Sequence, residues 1–162
     1  MSQANYRKGS WFIGLSLALA MVMTLFPLPD AWQLWRPAWV MLVLSYWSIR
    51  APERVGLFWA FVCGLLLDVL LGTSLGVHSF ALALTTFIIK LLQQRIRLFP
   101  LWKQALMVAF LSLIYIMISF WLIRLTGKSE ETMAWPSVII NGLLWPWLYL
   151  LLRNFSGFLR VN

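Results

Sequence analysis

The residues that could carry chemistry are few, because acidic and metal-binding side chains are scarce in this sequence. Asp68 is the only acid within an apolar run, and the chain has a single histidine, His78, and a single cysteine, Cys63. One histidine and one cysteine cannot form a Cys/His metal cluster, and no nucleophile stands beside a general base. We therefore expect no catalytic, cofactor-binding or metal-binding residues, and a protein that is not an enzyme.

Asp68 needs hydrogen-bond partners, because an ionised aspartate at the centre of a membrane helix costs about 2.5–3.5 kcal/mol. The turn at residues 72–76 offers hydroxyls and backbone N–H groups, and His78 follows directly after it. The topology derived below places Asn141 in the same half of the membrane. We predict an outer polar cluster of Asp68, His78 and Asn141, with either a structural role or a contact to a partner or ligand.

Small residues recur at every fourth position around this acid. The series is Gly56, Ala60, Gly64, Asp68, Gly72 and Gly76. Four residues are slightly more than one helical turn, so the first four members share one helix face. Small side chains allow another helix backbone to approach closely. We predict helix packing or partner binding here, with the second helix in the same bundle or in another protein.

Membrane helices must position these residues. The 162 residues are 62% hydrophobic and 11% charged, with a mean hydropathy of +0.82. Soluble domains have about 45–50% apolar and about 25% charged residues, which excludes a soluble enzyme. We predict an all-α polytopic membrane protein, a bundle of about six transmembrane helices in which residues 1–162 form a single integral membrane domain.

Six apolar segments can be placed along the chain. They are residues 10–26, 37–49, 55–71, 77–89, 101–123 and 135–152. The second and fourth are shorter than the about 20 residues of a full span. We expect them to extend through Arg36 and Lys90, whose long side chains reach the headgroups; local thinning of the bilayer is the alternative. The first segment resembles a signal peptide at Ala18-Leu19-Ala20, but its apolar run continues, so we expect it to be retained.

The charges predict the orientation. Of 13 Lys and Arg residues, three fall in one set of alternating loops, namely Arg36, Arg124 and Lys128. The other ten are Arg7, Lys8, Arg50, Arg54, Lys90, Arg95, Arg97, Lys103, Arg153 and Arg160. Because basic loops stay inside, both termini should be cytoplasmic. The net charge of +8 thus reflects orientation, not nucleic-acid binding. The basic loop at 93–103 should attract anionic membrane lipids, and a docking surface for a cytoplasmic partner is the alternative.

Three segments resemble one family. Residues 64–77, GLLLDVLLGTSLGV, resemble the G-x3-D-x3-G-x3-G signature of MreD, the bacterial rod shape-determining membrane protein family. Arg36-Pro37-Ala38-Trp39-Val40 is similar to the entry of its second span, and Asn141-Gly142-Leu143-Leu144-Trp145-Pro146-Trp147 to its last span. Pro146 should kink that span, since proline removes a backbone hydrogen bond. The resemblance covers essentially the whole chain and is closest to the gammaproteobacterial form.

The resemblance implies a non-enzymatic scaffold or regulatory subunit of the rod (cell-elongation) complex in the bacterial inner membrane. Family members associate with MreC, and through it with the RodA glycosyltransferase, its partner penicillin-binding transpeptidase and the MreB filament, in support of peptidoglycan synthesis. Small-residue faces would hold the membrane helix of MreC, and outer loops at 30–36 and 128–131 would set the posture of its periplasmic domain. The fold also resembles the membrane subunits of energy-coupling-factor transporters, which makes a vitamin-binding transporter subunit the alternative.

Overall fold

Six α-helices and one 3-10 helix form the part of the chain that this computed structural model describes, residues 3–127 and 133–158. The helices are α1 (Gln3–Leu25), α2 (Trp39–Arg50), α3 (Leu57–Leu71), α4 (Val77–Leu98), α5 (Leu101–Leu125) and α6 (Pro136–Phe158), with the 3-10 helix at Asp30–Trp35. No strand occurs in these ranges, which confirms the all-α fold. Side chains are described for residues 10–127 and 133–155; Lys128, Glu130, Glu131 and Arg160 lie outside the described residues, as do the side chains of Arg7 and Lys8.

The surface of the described bundle is apolar. By length and composition, the segments Leu101–Leu125 and Pro136–Phe155 can cross a membrane, and Ser10–Leu25 and Leu57–Leu71 are shorter apolar helices. Large hydrophobic side chains point outward along several helices, among them Trp11, which is 78% exposed. An apolar surface of this extent is suited to lipid contact. The number of six spans stays a prediction.

The short helix α2 occupies the centre of the bundle. Every residue from 40 to 49 is buried, and α1, α4, α5 and α6 all contact it. Its 12 residues give a length of about 18 Å, short of the about 30 Å hydrocarbon core. The expected extension through Arg36 is wrong. Pro37 forces the residue before it out of the helical region, and Arg36 is extended at φ −62° and ψ 120°.

Helix α4 continues through Lys90 as expected, and it ends only at Leu98. The predicted loop at 93–103 is therefore wrong, because just Phe99 and Pro100 separate α4 from α5. Arg97, which was assigned to that loop, donates hydrogen bonds to the carbonyls of Ile49 and Arg50 at the end of α2. Positive charge is favourable at a helix C-terminus, so Arg97 caps the C-terminal end of α2.

The orientation can be tested with two single-cysteine variants in a Cys63→Ala background. Thr126, after α5, and Leu98, at the end of α4, are exposed at opposite ends of the bundle. Because basic residues stay inside, Thr126→Cys should react with an impermeant thiol reagent in intact spheroplasts, and Leu98→Cys only after permeabilisation. Labelling of Leu98→Cys in intact spheroplasts would contradict cytoplasmic termini.

Candidate functional site

The backbones of α3 and α4 touch at Gly64. A Cβ built on Gly64 would lie 2.1 Å from the Cα and 2.5 Å from the backbone nitrogen of Ser79, far inside van der Waals contact. Ala60, one turn earlier on the same face, is fully buried. Helix α4 thus occupies the small-residue face of α3, and no space remains there for the helix of a partner.

The remaining glycines of the four-residue series have other roles. Gly72 and Gly76 lie in the turn after α3 with φ values of +64° and +108°, and a Cβ on either would meet nothing within 4 Å. These left-handed conformations are natural to glycine, so the turn requires them for backbone reasons and not for helix packing. Gly56 precedes α3, where a Cβ would meet only the Lys90 Nζ, at 3.4 Å.

The carboxylate of Asp68 is fully buried and accepts hydrogen bonds from the start of α4. Its Oδ2 accepts the backbone N–H of Gly76 at 2.9 Å, and its Oδ1 accepts the backbone N–H of His78 at 2.9 Å. The Thr73 hydroxyl donates to Oδ1 at 3.0 Å, and the Ser79 hydroxyl approaches Oδ2 at 3.4 Å. The turn at 72–76 and His78 therefore supply the partners expected for this acid.

This arrangement is a helix cap supplied by a different helix. The first N–H groups of a helix have no acceptor within it, and the N-cap residue of α4 is Gly76, which has no side chain to cap it. Asp68 on α3 provides the missing acceptors, and its negative charge lies where the helix dipole of α4 favours it. The carboxylate therefore joins α3 to α4 just beyond the contact at Gly64.

The imidazole of His78 completes the Asp68 site. Its Nδ1 lies 2.8 Å from Oδ1 of Asp68, an ion pair when the ring is protonated. When Asp68 is ionised its carboxylate can only accept, so Nδ1 is then the donor of this contact and Nε2 is left for other partners. The ring centroid lies 6.2 Å from that of Tyr115 on α5. The predicted proximity of Asp68 and His78 is thus observed.

Asn141 makes a separate contact, and no hydrogen bond joins it to Asp68 or His78 in the described part of the chain, so the cluster of all three residues stays a prediction. Its Oδ1 accepts the backbone N–H of Ala38 at 3.0 Å. One turn earlier on α6, the Ser137 hydroxyl donates to the carbonyl of Leu34 at 2.8 Å. The N–H groups at the start of α2 have no acceptor within the helix, and the side chain of Asn141 supplies an acceptor for one of these N–H groups. Asn141 therefore fastens α6 to the entry of α2.

A cavity of about 630 Å³ opens at the end of the bundle where α1, α3 and α5 end, which is the side predicted to face outward. Its walls come from the 3-10 helix, the entry of α2, the α3–α4 turn, α5 and the start of α6. The polar side chains that line it include Arg36, Thr73, His78, Tyr115, Ser119 and Ser137. Its volume lies in the range of small-molecule sites. The cavity is the candidate binding site among the described residues.

Comparison with known proteins identifies the family. The family model for rod shape-determining protein MreD matches residues 5–155. The chain belongs to the MreD family. It is 38% identical over 158 residues to the rod shape-determining protein MreD of Haemophilus influenzae, covering 94% of this chain and 95% of that protein. No solved structure matches it. The resemblance to MreD is confirmed, the assignment to cell shape follows, and the vitamin-transporter alternative has no support.

The MreD motif in the last span now has a structural explanation. A Cβ on Gly142 would lie 3.1 Å from the Cβ of Ala109, so this glycine brings α6 close to α5. Trp145 is fully buried and its ring packs near Tyr149 at 6.1 Å. Helix α6 runs through the half-buried Pro146 without interruption. The motif therefore lies along contacts of α6 with its neighbours.

The motif at the second span lies around the cavity of this MreD-family chain. Arg36, Pro37 and Trp39 all line it. Sequence reasoning missed the opposite wall, where Tyr115 and Ser119 lie one turn apart on α5 and are buried. Hydroxyl groups spaced four residues apart in an apolar span indicate an inward face, so this signal was available in the sequence.

Proposed function

We propose that this chain is a non-enzymatic scaffold of the rod complex, binding MreC in the bacterial inner membrane and so supporting peptidoglycan synthesis and cell shape. The match to the MreD family over residues 5–155 carries the proposal. The buried polar groups support it, because Asp68 and Asn141 bind backbone groups of neighbouring helices. Through MreC the scaffold acts on RodA, its partner penicillin-binding transpeptidase and the MreB filament.

The membrane helix of MreC needs a face that the bundle leaves open, since α4 covers the small-residue face of α3. Helix α1 offers one. Gly14 and Ala18 are four residues apart, Ala18 is exposed, and a Cβ on Gly14 would meet nothing within 4 Å. Small residues at this spacing allow close approach of a second helix. The proposed docking face for the MreC helix is therefore this side of α1.

The outer segments complete the proposed scaffold. The 3-10 helix at Asp30–Trp35 follows α1 and exposes Trp32 and Trp35. A periplasmic domain that continues from an MreC helix on α1 would emerge beside it. This segment, together with the loop at 128–131, which lies outside the described residues, would set the posture of that domain.

Co-purification tests the proposal. The tagged full chain should retain MreC in mild detergent, and Gly14→Leu should accumulate normally but lose most of it, because the leucine holds the two helices apart. The matched control is Val69→Phe, which adds bulk at an exposed position on α3 and should leave MreC bound. Failure of the wild-type chain to retain MreC would contradict the scaffold, whereas normal retention by Gly14→Leu would contradict docking on α1 alone.

A further inference from the structure

We propose that the outer cavity binds an anionic phospholipid, with the headgroup at Arg36 and an acyl chain along the apolar wall between α2 and α5. The cavity borders the hydrogen bonds of Asp68, with which it shares Thr73 and His78, and the proposal does not depend on the binding of MreC. Three features of its lining support the inference: a basic group without a paired acid, further polar groups with free hydrogen-bonding capacity, and a continuous apolar wall.

The basic group is the guanidinium of Arg36. Its Nη2 donates to the carbonyl of Phe26 at 2.6 Å, whereas its buried Nε has no hydrogen-bond partner among the described residues. Asp30 also lines the cavity, but its carboxylate accepts a bond from Gln33 at 2.9 Å, and no carboxylate of the described chain lies within 4 Å of Arg36. A guanidinium has five N–H donors suited to phosphate, so most of its capacity is available to a ligand.

Two further polar groups reach the same space. The hydroxyl of Ser119 is buried and lines the cavity, and its polar neighbour there is the Tyr115 side chain, which leaves part of its hydrogen-bonding capacity for a ligand. His78 lines the cavity, and its Nδ1 is already bonded to Asp68, which directs the remaining ring nitrogen elsewhere. A phosphodiester and its glycerol hydroxyls can use such donors and acceptors. The buried Nε of Arg36, which has no partner among the described residues, favours a polar ligand, because an unsatisfied buried donor costs free energy.

The remaining wall is apolar. Val40 and Met41 of α2, Leu67 of α3, and Ile116 and Ile123 of α5 line it. A ligand that was only an anion would leave this wall in contact with water. An amphiphile satisfies Arg36 and covers the apolar wall with its chain, since burying apolar surface stabilises the complex. The outer leaflet of the membrane supplies such molecules beside the cavity.

Native mass spectrometry of the full chain in mild detergent can test the site with three probes. They are dioctanoyl phosphatidylglycerol, dioctanoyl phosphatidylcholine with the same chains and a net neutral headgroup, and inorganic phosphate. The wild-type chain should bind phosphatidylglycerol about tenfold more tightly than either other probe, as expected for one charge-assisted contact with an added apolar one. Arg36→Gln should remove the preference over phosphatidylcholine, and Arg36→Lys should retain it.

Arg124→Gln is the matched control. It removes the same charge at the same end of the bundle, where Arg124 lies over the ring of Phe120 at 4.6 Å and does not line the cavity. Its affinity for phosphatidylglycerol should equal that of the wild type, and filling the cavity with Ser119→Trp should abolish binding. Equal wild-type affinity for the two lipids, phosphate bound as tightly as lipid, or equal losses in Arg36→Gln and Arg124→Gln would each overturn the proposal.

Discussion

The variant Gly64→Leu is expected to deplete the folded protein from the membrane. Even a methyl group at this position would lie 2.1 Å from the Cα of Ser79. The clash involves backbone on both sides, so no side chain can rotate away, and α3 must separate from α4 along the most extensive helix interface of the described chain. Overpacking by single groups costs about 1–3 kcal/mol, and leucine adds several groups. Quantitative immunoblotting of membranes and melting of the purified protein in detergent measure the loss.

Gly14→Leu provides the matched control for Gly64→Leu. The substitution is identical and also lies within a helix, but a Cβ on Gly14 would meet nothing within 4 Å. Its accumulation should equal that of the wild type, and its melting temperature should be unchanged or higher, because leucine favours a helix by up to about 1 kcal/mol over glycine. Unchanged accumulation and melting of Gly64→Leu would show that α3 and α4 do not approach this closely.

Replacement of Asp68 by leucine should destabilise the bundle and abolish rod shape. Leucine has the same branching at Cγ but leaves the partly buried backbone N–H groups of Gly76 and His78 without an acceptor. Each orphaned donor costs about 1–3 kcal/mol, so the expected loss is about 2–6 kcal/mol. The readouts are the melting temperature of the purified protein and the length-to-width ratio of cells that carry only the variant.

Asparagine at position 68 should give an intermediate result. Both carboxylate oxygens accept from backbone N–H groups, and an amide turns one of these acceptors into a donor. His78→Ala is the control, since it removes the ring contact but keeps the backbone N–H bonded to Asp68. It should lose about 1 kcal/mol. If Asp68→Leu supports normal rods and melts like the wild type, the cap contributes nothing to the bundle.

The sequence was most informative where partners are close along the chain. Asp68, the glycine turn and His78 lie within 11 residues, so an acid in an apolar run and the donors that follow it could be connected before the fold was known. The small-residue face was predicted for the same reason, because helical periodicity is local. The identity of the helix that packs on this face could not be predicted, since a helix of the same chain and a helix of another protein both satisfy that pattern.

Features that depend on distant segments could not be predicted. Asn141 meets Ala38 across 103 positions of the chain, and only the folded bundle brings the entry of α2 to α6. The cavity combines groups from Arg36, His78 and Ser119 on separate elements. The length of α2 was misjudged because a hydrophobic run predicts a span regardless of whether lipid or other helices surround it.

The buried position of α2 has a consequence for biogenesis. A segment of about 18 Å cannot cross the hydrocarbon core by itself, and its serine hydroxyls at positions 45 and 48 are buried among neighbouring helices in the finished bundle. When this part of the chain leaves the ribosome, α4, α5 and α6 have not yet been synthesised. We expect α2 to remain near the membrane surface, or to insert into the membrane as a hairpin with α1, until the later helices surround it. Because of this order of synthesis, the central helix α2 would reach its final position only after the helices that follow it in the chain.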